Sequence, residues 1–146
     1  MALPFTKIIS KTITINASVS KVWDALTSAD QIKNWLWDTE VIVISDWKVG
    51  SPILFKGKFH EMDFETKGII LKLEKEKVFK YSYWTPISEI SDSPENYHII
   101  EFALRPDGSK TLLTLTINNL INDVIYGHVN FYWNTTLEVL KKLLEK

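Results

Sequence analysis

The chain has 146 residues, of which 45% are hydrophobic, 24% charged and 12% aromatic, with seventeen basic against eighteen acidic side chains for a formal charge of −1. That length suits one domain with a real hydrophobic core, and the composition excludes intrinsic disorder. The absence of a basic excess argues against a general nucleic-acid or anionic-membrane binder.

Cysteine is absent, which removes disulfides, thiolate metal sites and a cysteine nucleophile. The N-terminal segment lacks the basic and apolar regions of a secretory signal, and the longest aliphatic run, Val41–Ile44, is far short of a membrane span. The expectation is a cytoplasmic protein without membrane attachment, folded as one domain over residues 1–146.

Lys7–Ile15 alternates apolar and polar residues and reads as a strand. Val19, Val22, Trp23 and Leu26 then recur at helical spacing behind Ser18, a natural N-cap. Ser28 and Gln31 have capping-box spacing for a second short helix that carries Ile32 and Trp35 and ends near Asp38.

From Glu40 to Asn119 the pattern is strands and turns: Val41–Ile44, Pro52–Phe59, Phe64–Leu73, Val78–Trp84, Tyr97–Arg105 and Lys110–Ile117. Pro106-Asp107-Gly108-Ser109 is the strongest hairpin signal, with Pro106 expected to limit the strand before it. Thr85–Asn96 has two prolines and no period, and a loop of this length is a candidate lid. Asp123–Lys146 is a helix whose apolar stripe runs from Ile125 through Val129, Tyr132, Trp133, Leu137 and Leu140 to Leu144. Such a stripe needs a partner, and the apolar sheet face provides one. The expected fold is α+β, a curved antiparallel sheet wrapped around the long C-terminal helix, with two short helices after the first strand.

Several segments carry a resemblance. Ala17-Ser18-Val19-Ser20-Lys21-Val22-Trp23-Asp24-Ala25-Leu26-Thr27, Ile32-Lys33-Asn34-Trp35, Trp47-Lys48-Val49-Gly50-Ser51-Pro52 and Ser93-Pro94-Glu95-Asn96-Tyr97-His98 resemble segments of the START-like (SRPBCC, polyketide-cyclase/birch-allergen) superfamily. The similarity is to its branch of homologues of the heat-shock ATPase activator, and Trp133, Leu137, Leu140 and Leu144 fit the terminal-helix pattern. The sequence departs from that branch in having Tyr132 before Trp133 and Gly50-Ser51 in place of paired glycines. The resemblance implies a helix-grip fold with an internal cavity between helix and sheet that receives a hydrophobic molecule.

On that footing the expected function is binding of a small hydrophobic or aromatic ligand, with Trp35, Phe55, Tyr81, Tyr83, His98, Phe102, His128, Tyr132 and Trp133 as candidate contacts. His98 is in phase with Ile100 and Phe102, and His128 shares a helical face with Ile125 and Tyr132, so both are expected to point under the C-terminal helix. The tyrosines join aromatic bulk to a polar tip, which suits a pocket needing shape and few hydrogen bonds.

Two alternatives stand beside this reading. One is a chaperone-associated interaction module with an apolar patch near Trp37, Trp47 or the Thr85–Asn96 loop. The other is a cyclase- or hydrolase-like enzyme using His98 or His128 as acid and base. His60-Glu61-Met62-Asp63-Phe64 begins like a zinc-peptidase motif, but position 64 is not histidine, and the segment reads as a solvated turn. No catalytic residue, metal or cofactor is called for. The expected partners are a hydrophobic small molecule or another protein, with no nucleic acid, in a monomer or homodimer.

Overall fold

The computed structural model describes residues 5–37, 39–59 and 61–146. Its elements are β1 (Ile9–Ile15), α1 (Val19–Thr27), α2 (Ala29–Ile32), β2 (Val41–Ser45), β3 (Pro52–Phe59), β4 (Met62–Glu74), β5 (Val78–Tyr83), β6 (His98–Asp107), β7 (Lys110–Asn118) and α3 (Asp123–Leu144). The strands make one curved antiparallel sheet in the order β1-β7-β6-β5-β4-β3-β2. From β2 to β7 each strand pairs with the next, while β1 pairs with β7, so the connection through α1 and α2 carries the chain from one edge of the sheet to the other.

Strand periodicity sorts the side chains. Val41 and Val43, Ile53 and Phe55, Thr66 and Ile70, Phe79 and Tyr81, His98, Ile100, Phe102 and Leu104, and Leu113, Leu115 and Ile117 are all buried on the inner face. The helix α3, about 33 Å long at 1.5 Å per residue, lays Trp133, Thr136, Leu137, Leu140 and Leu144 against that face. Area buried in this way stabilises by about 25 cal/mol per Å². Val22, Ala25 and Leu26 of α1, all buried, complete the core.

Polar contacts fix the C-terminal end of α3. The Lys141 ammonium donates to the Thr14 carbonyl at 2.7 Å, Lys21 donates to the Leu144 carbonyl at 2.9 Å, and Glu145 accepts the Asn16 amide at 2.8 Å. At the start of the helix the Asn122 side chain accepts the Ile125 amide at 2.9 Å, satisfying one of the orphan N–H groups of the first turn.

Three local expectations need correction. The second helix is a single turn, Ala29–Ile32, and its Ser28 side chain makes no cap bond; the Gln31 amide binds the Ser28 carbonyl instead. The strand before the hairpin runs through Pro106 to Asp107, because β5 begins opposite Ala103 and leaves no neighbour on that side to miss the proline's N–H. The hairpin itself turns at Gly108, with φ +62°. The 85–96 segment contains two 3₁₀ turns, Pro86–Ser88 and Pro94–Asn96, and is pinned rather than free. The Trp84 indole donates to the Ile90 carbonyl at 2.9 Å, and Lys67 pairs with Asp92 at 2.5 Å. Asn119 donates to the Glu95 and Tyr97 carbonyls at 2.8 and 2.7 Å. Among the described residues no helix is long and apolar enough to cross a membrane.

Candidate ligand cleft beneath the terminal helix

The two halves of α3 meet the sheet differently. Toward the C-terminus the stripe residues are buried, and Trp133 packs against Phe102 at 5.7 Å and Trp35 at 6.4 Å between ring centroids. Trp35 is itself tied down by its indole N–H to the Ala25 carbonyl at 2.9 Å. Toward the N-terminus Ile125, Tyr126, Val129 and Tyr132 are only half-buried, though they face the same core. Of these, Tyr132 lies close to Tyr81 of β5, and Tyr126 contacts Phe5 at 6.3 Å between ring centroids.

Aromatic side chains line the sheet around Tyr81. Phe55 contacts Tyr81 and Tyr83 at 6.0 and 6.1 Å, and Trp37 lies against Phe64 at 5.1 Å and Phe55 at 6.4 Å. A glycine at position 57 makes room for the indole: a Cβ there would stand 2.6 Å from Trp37 Cζ3. The Tyr132 hydroxyl donates to the Leu36 carbonyl, linking this half of α3 to the segment that follows α2.

The polar atoms of the region are few and specific. The Tyr81 residue is 3% exposed and His98 7%. Neither the Tyr81 hydroxyl nor His98 Nε2 has a hydrogen-bond partner among the described residues, yet no fully sealed side-chain nitrogen or oxygen is left unpaired there. Both atoms therefore keep some access to solvent although the residues are buried. Burial, with the nearby Tyr83 and Tyr132, raises the Tyr81 phenol well above the usual tyrosine range. Burial pushes the Tyr83 phenol up to about 12, opposed by a hydrogen bond with Thr66. His98 Nδ1 lies 3.1 Å from the Asn119 carbonyl; burial lowers the imidazole pKa, and that carbonyl only partly opposes it.

The structure thus separates the sequence candidates. Trp35, Phe102 and Trp133 are buried and packed around Trp133, and Phe55, also buried, packs on Trp37, Tyr81 and Tyr83. Tyr81, Tyr83, His98 and Tyr132 come together around the less closed end. His128 is exposed, contrary to expectation. It lies three residues from both Ile125 and Phe131, and the helix turns its inward stripe through Ile125, Val129 and Tyr132, leaving His128 with exposed Val124 and Phe131 on the outside.

Trp37 and Phe64 belong to this group although the sequence pattern does not place them in it. The helical pattern around Trp37 breaks before it, and only its seat over Gly57 signals an inward direction. The His60 motif lies outside the described residues. Among those described, no cluster of three or more metal-ligating side chains is found.

Two hollows lie away from this region. A groove of about 490 Å³ on the outer face of the sheet is floored by Leu54, Ile69, Leu71 and Ile99, with Pro94, Tyr97 and the Lys67–Asp92 pair at its edge. A smaller hollow of about 290 Å³ lies between Trp23, Thr27, Trp47, Leu73 and Lys75.

A curved seven-stranded sheet gripping a long terminal helix, with aromatic residues lining its inner face, defines a helix-grip protein of the SRPBCC type. Residues 16–145 match the family described as activator of Hsp90 ATPase homolog 1-like protein, and the chain belongs to that family. The solution structure of a Cytophaga hutchinsonii protein is similar, with 36% identity and a TM-score of 0.82 over 95% of this chain and 94% of the other. The Aha1 dimer from Colwellia psychrerythraea, also a solution structure, has 26% identity and a TM-score of 0.75 over 95% and 96% of the two chains. CalU16 from Micromonospora echinospora, at 20% identity and a TM-score of 0.72 over 95% and 76%, shares the fold. Comparison with curated proteins gives no match.

Proposed function

We propose that the chain binds a small, largely apolar molecule between the N-terminal half of α3 and the inner sheet face, without catalysing its conversion. The observation that carries this reading is the Tyr81 hydroxyl, unpaired on a side chain otherwise buried among aromatic rings. Such an oxygen keeps solvent access among aromatic rings, and a mostly apolar lining with a few polar tips is the usual character of a ligand site. Trp35, Phe55, Phe102 and Trp133 would supply the rigid floor, and Tyr83, His98, Tyr132 and Trp37 the adaptable walls. The contacts of His98 do not favour acid–base chemistry: its one hydrogen bond goes to a backbone carbonyl, and no carboxylate among the described residues partners it.

The test is titration with the neutral fluorescent probe N-phenyl-1-naphthylamine, using wild type and Val129→Trp, in which the added indole fills the space under α3. Saturable enhancement in wild type and its loss in the folded variant support the reading. Equal enhancement in both, or none in either, removes it.

A second reading has its own observation. On the outer sheet face Ile42 is 53% exposed and Ile69 46%, and Ile44 and Leu71 are exposed beside them. β2 is also the sheet edge. Such a face favours association with a partner or a second copy, and the Colwellia psychrerythraea relative is a dimer. This face borders the 85–96 loop through Asp92 and Pro94, one of the three places expected for such a patch, whereas Trp37 and Trp47 are half-buried. Light scattering of wild type and Ile69→Lys over a concentration series tests it; a monomer at every concentration, with no partner retained, counts against it.

A further inference from the structure

The polar atoms inside the cleft narrow the kind of molecule that fits it. A backbone carbonyl only accepts, so the hydrogen between His98 and Asn119 sits on Nδ1. The neutral ring then carries its lone pair on Nε2, on the side away from Asn119 and β7. Across the β5–β6 ladder His98 pairs with Tyr83, whose ring is 6.3 Å away, and Tyr81 is the next inward residue on β5. His98 and Tyr81 thus occupy neighbouring inward positions on paired strands, each with one polar atom left without a partner among the described residues.

We infer that the ligand carries a neutral hydroxyl group, phenolic or alcoholic, that donates its hydrogen to His98 Nε2. This inference rests on the cleft reading above. A hydroxyl also accepts, so it can receive the Tyr81 hydrogen or a water held by it. A carboxylate has nothing to donate and needs a positive counter-charge. Four lysines around α3 are already engaged, Lys7 with Asp123 at 3.0 Å, Lys11 with Asn134 at 2.5 Å, Lys21 with the Leu144 carbonyl and Lys141 with Glu145 at 2.6 Å, and Lys142 is exposed at the far end of the helix. An anionic head group would meet a neutral imidazole and phenols. A pure hydrocarbon would leave two polar atoms unpaired.

Three probes of one shape decide the matter: naphthalene, 1-naphthol and 1-naphthoate, titrated at pH 7.5 and followed by amide chemical shifts. A matching record follows the imidazole nitrogens of His98. The expected result is that 1-naphthol binds about tenfold tighter than naphthalene, the worth of one net hydrogen bond, and that 1-naphthoate binds weakest. The Nε2 resonance shifts with 1-naphthol and not with naphthalene. In His98→Leu the naphthol preference disappears while naphthalene still binds, and His98→Gln, which keeps an acceptor, restores part of it.

Equal binding of naphthol and naphthalene with Nε2 unmoved overturns the hydroxyl inference and leaves the cleft reading standing. Tightest binding of 1-naphthoate overturns it too. Binding of none of the three removes the cleft reading and this inference together. Should His98→Leu fail to fold, the wild-type Nε2 shift alone decides between them.

Discussion

Replacing Tyr132 with Phe tests how the N-terminal half of α3 is held. The ring keeps its place beside Trp133, 5.2 Å away, so little packing is lost. What goes is the hydroxyl that donates to the Leu36 carbonyl, and Leu36 is buried. A typical net hydrogen bond contributes about 1 kcal/mol, and leaving a buried acceptor unpaired costs about 1–3 kcal/mol. A loss of about 2 kcal/mol is expected, which for a domain of this size lowers Tm by roughly 4–8 °C. The distribution of the effect matters more than its size. Amide exchange should quicken over Ile125–Trp133 and at Leu36–Trp37, while Leu137–Leu144 keeps its protection, because the Lys141, Lys21 and Glu145 contacts are untouched. Unchanged stability, or a uniform rise in exchange along α3, would refute the view that this bond acts chiefly on the weaker half.

Other outcomes follow from particular geometries. A Cβ at Gly68 would stand 1.6 Å from the Ser82 carbonyl oxygen, so Gly68→Ala must push β4 from β5; a cost of about 3 kcal/mol is expected in urea unfolding. Gly57→Ala displaces the Trp37 indole and should change tryptophan emission and probe affinity with a smaller loss of stability; unaltered emission would show that the ring does not sit there. Burial lowers the folded-state pKa of His98 below its ordinary 6.5, so the unfolded chain binds its proton first. Stability is complete above about pH 6.5 and declines as pH falls from there toward the folded-state value. Denaturation curves of wild type and His98→Gln over pH 7.5 to 5 should diverge in that window, and parallel curves would contradict the burial of the imidazole.

The fold was legible because its determinants are periodic. Alternation along Ile100, Phe102 and Leu104 against Leu113, Leu115 and Ile117 placed both strands of one hairpin and their inward faces, and the α3 stripe required a sheet to cover it. Ser18 capped α1 as its side chain allows, the hydroxyl accepting the Lys21 amide at 3.2 Å. Short-range signals failed where tertiary contacts outweighed them: Pro106 remains in a strand because no neighbour needs its N–H, and α2 stops after one turn. For the site, alternation correctly turned Tyr81, Tyr83 and His98 inward. It could not separate a ring that fills the core from one that borders open space, since Trp133 and Tyr132 are consecutive on the same stripe. His128 failed because a helical stripe about 100° wide leaves residues near its edge undecided by spacing alone. Trp37 and Phe64 join the group only through the approach of Gly57, a contact between segments that no local pattern encodes.

The sequence of α3 also explains why its two halves differ in burial. Between Asp123 and Thr136 stand Gly127, three β-branched aliphatics, two asparagines and two threonines, poor helix formers, with Gly127 alone costing about 1 kcal/mol relative to alanine. From Leu137 the run Leu-Glu-Val-Leu-Lys-Lys-Leu-Leu has high propensity, and its buried leucines pack on the sheet. The weaker half is also the less buried half, so both intrinsic preference and packing make it the part that opens first. Gly127→Ala separates these contributions, because a Cβ there meets nothing within 4 Å. It should raise stability by about 0.5–1 kcal/mol and slow exchange over Ile125–Trp133. If opening of this half admits the ligand, probe association should slow in the same variant. Faster exchange in Gly127→Ala, or slower exchange with an unchanged association rate, would detach helix opening from access to the cleft.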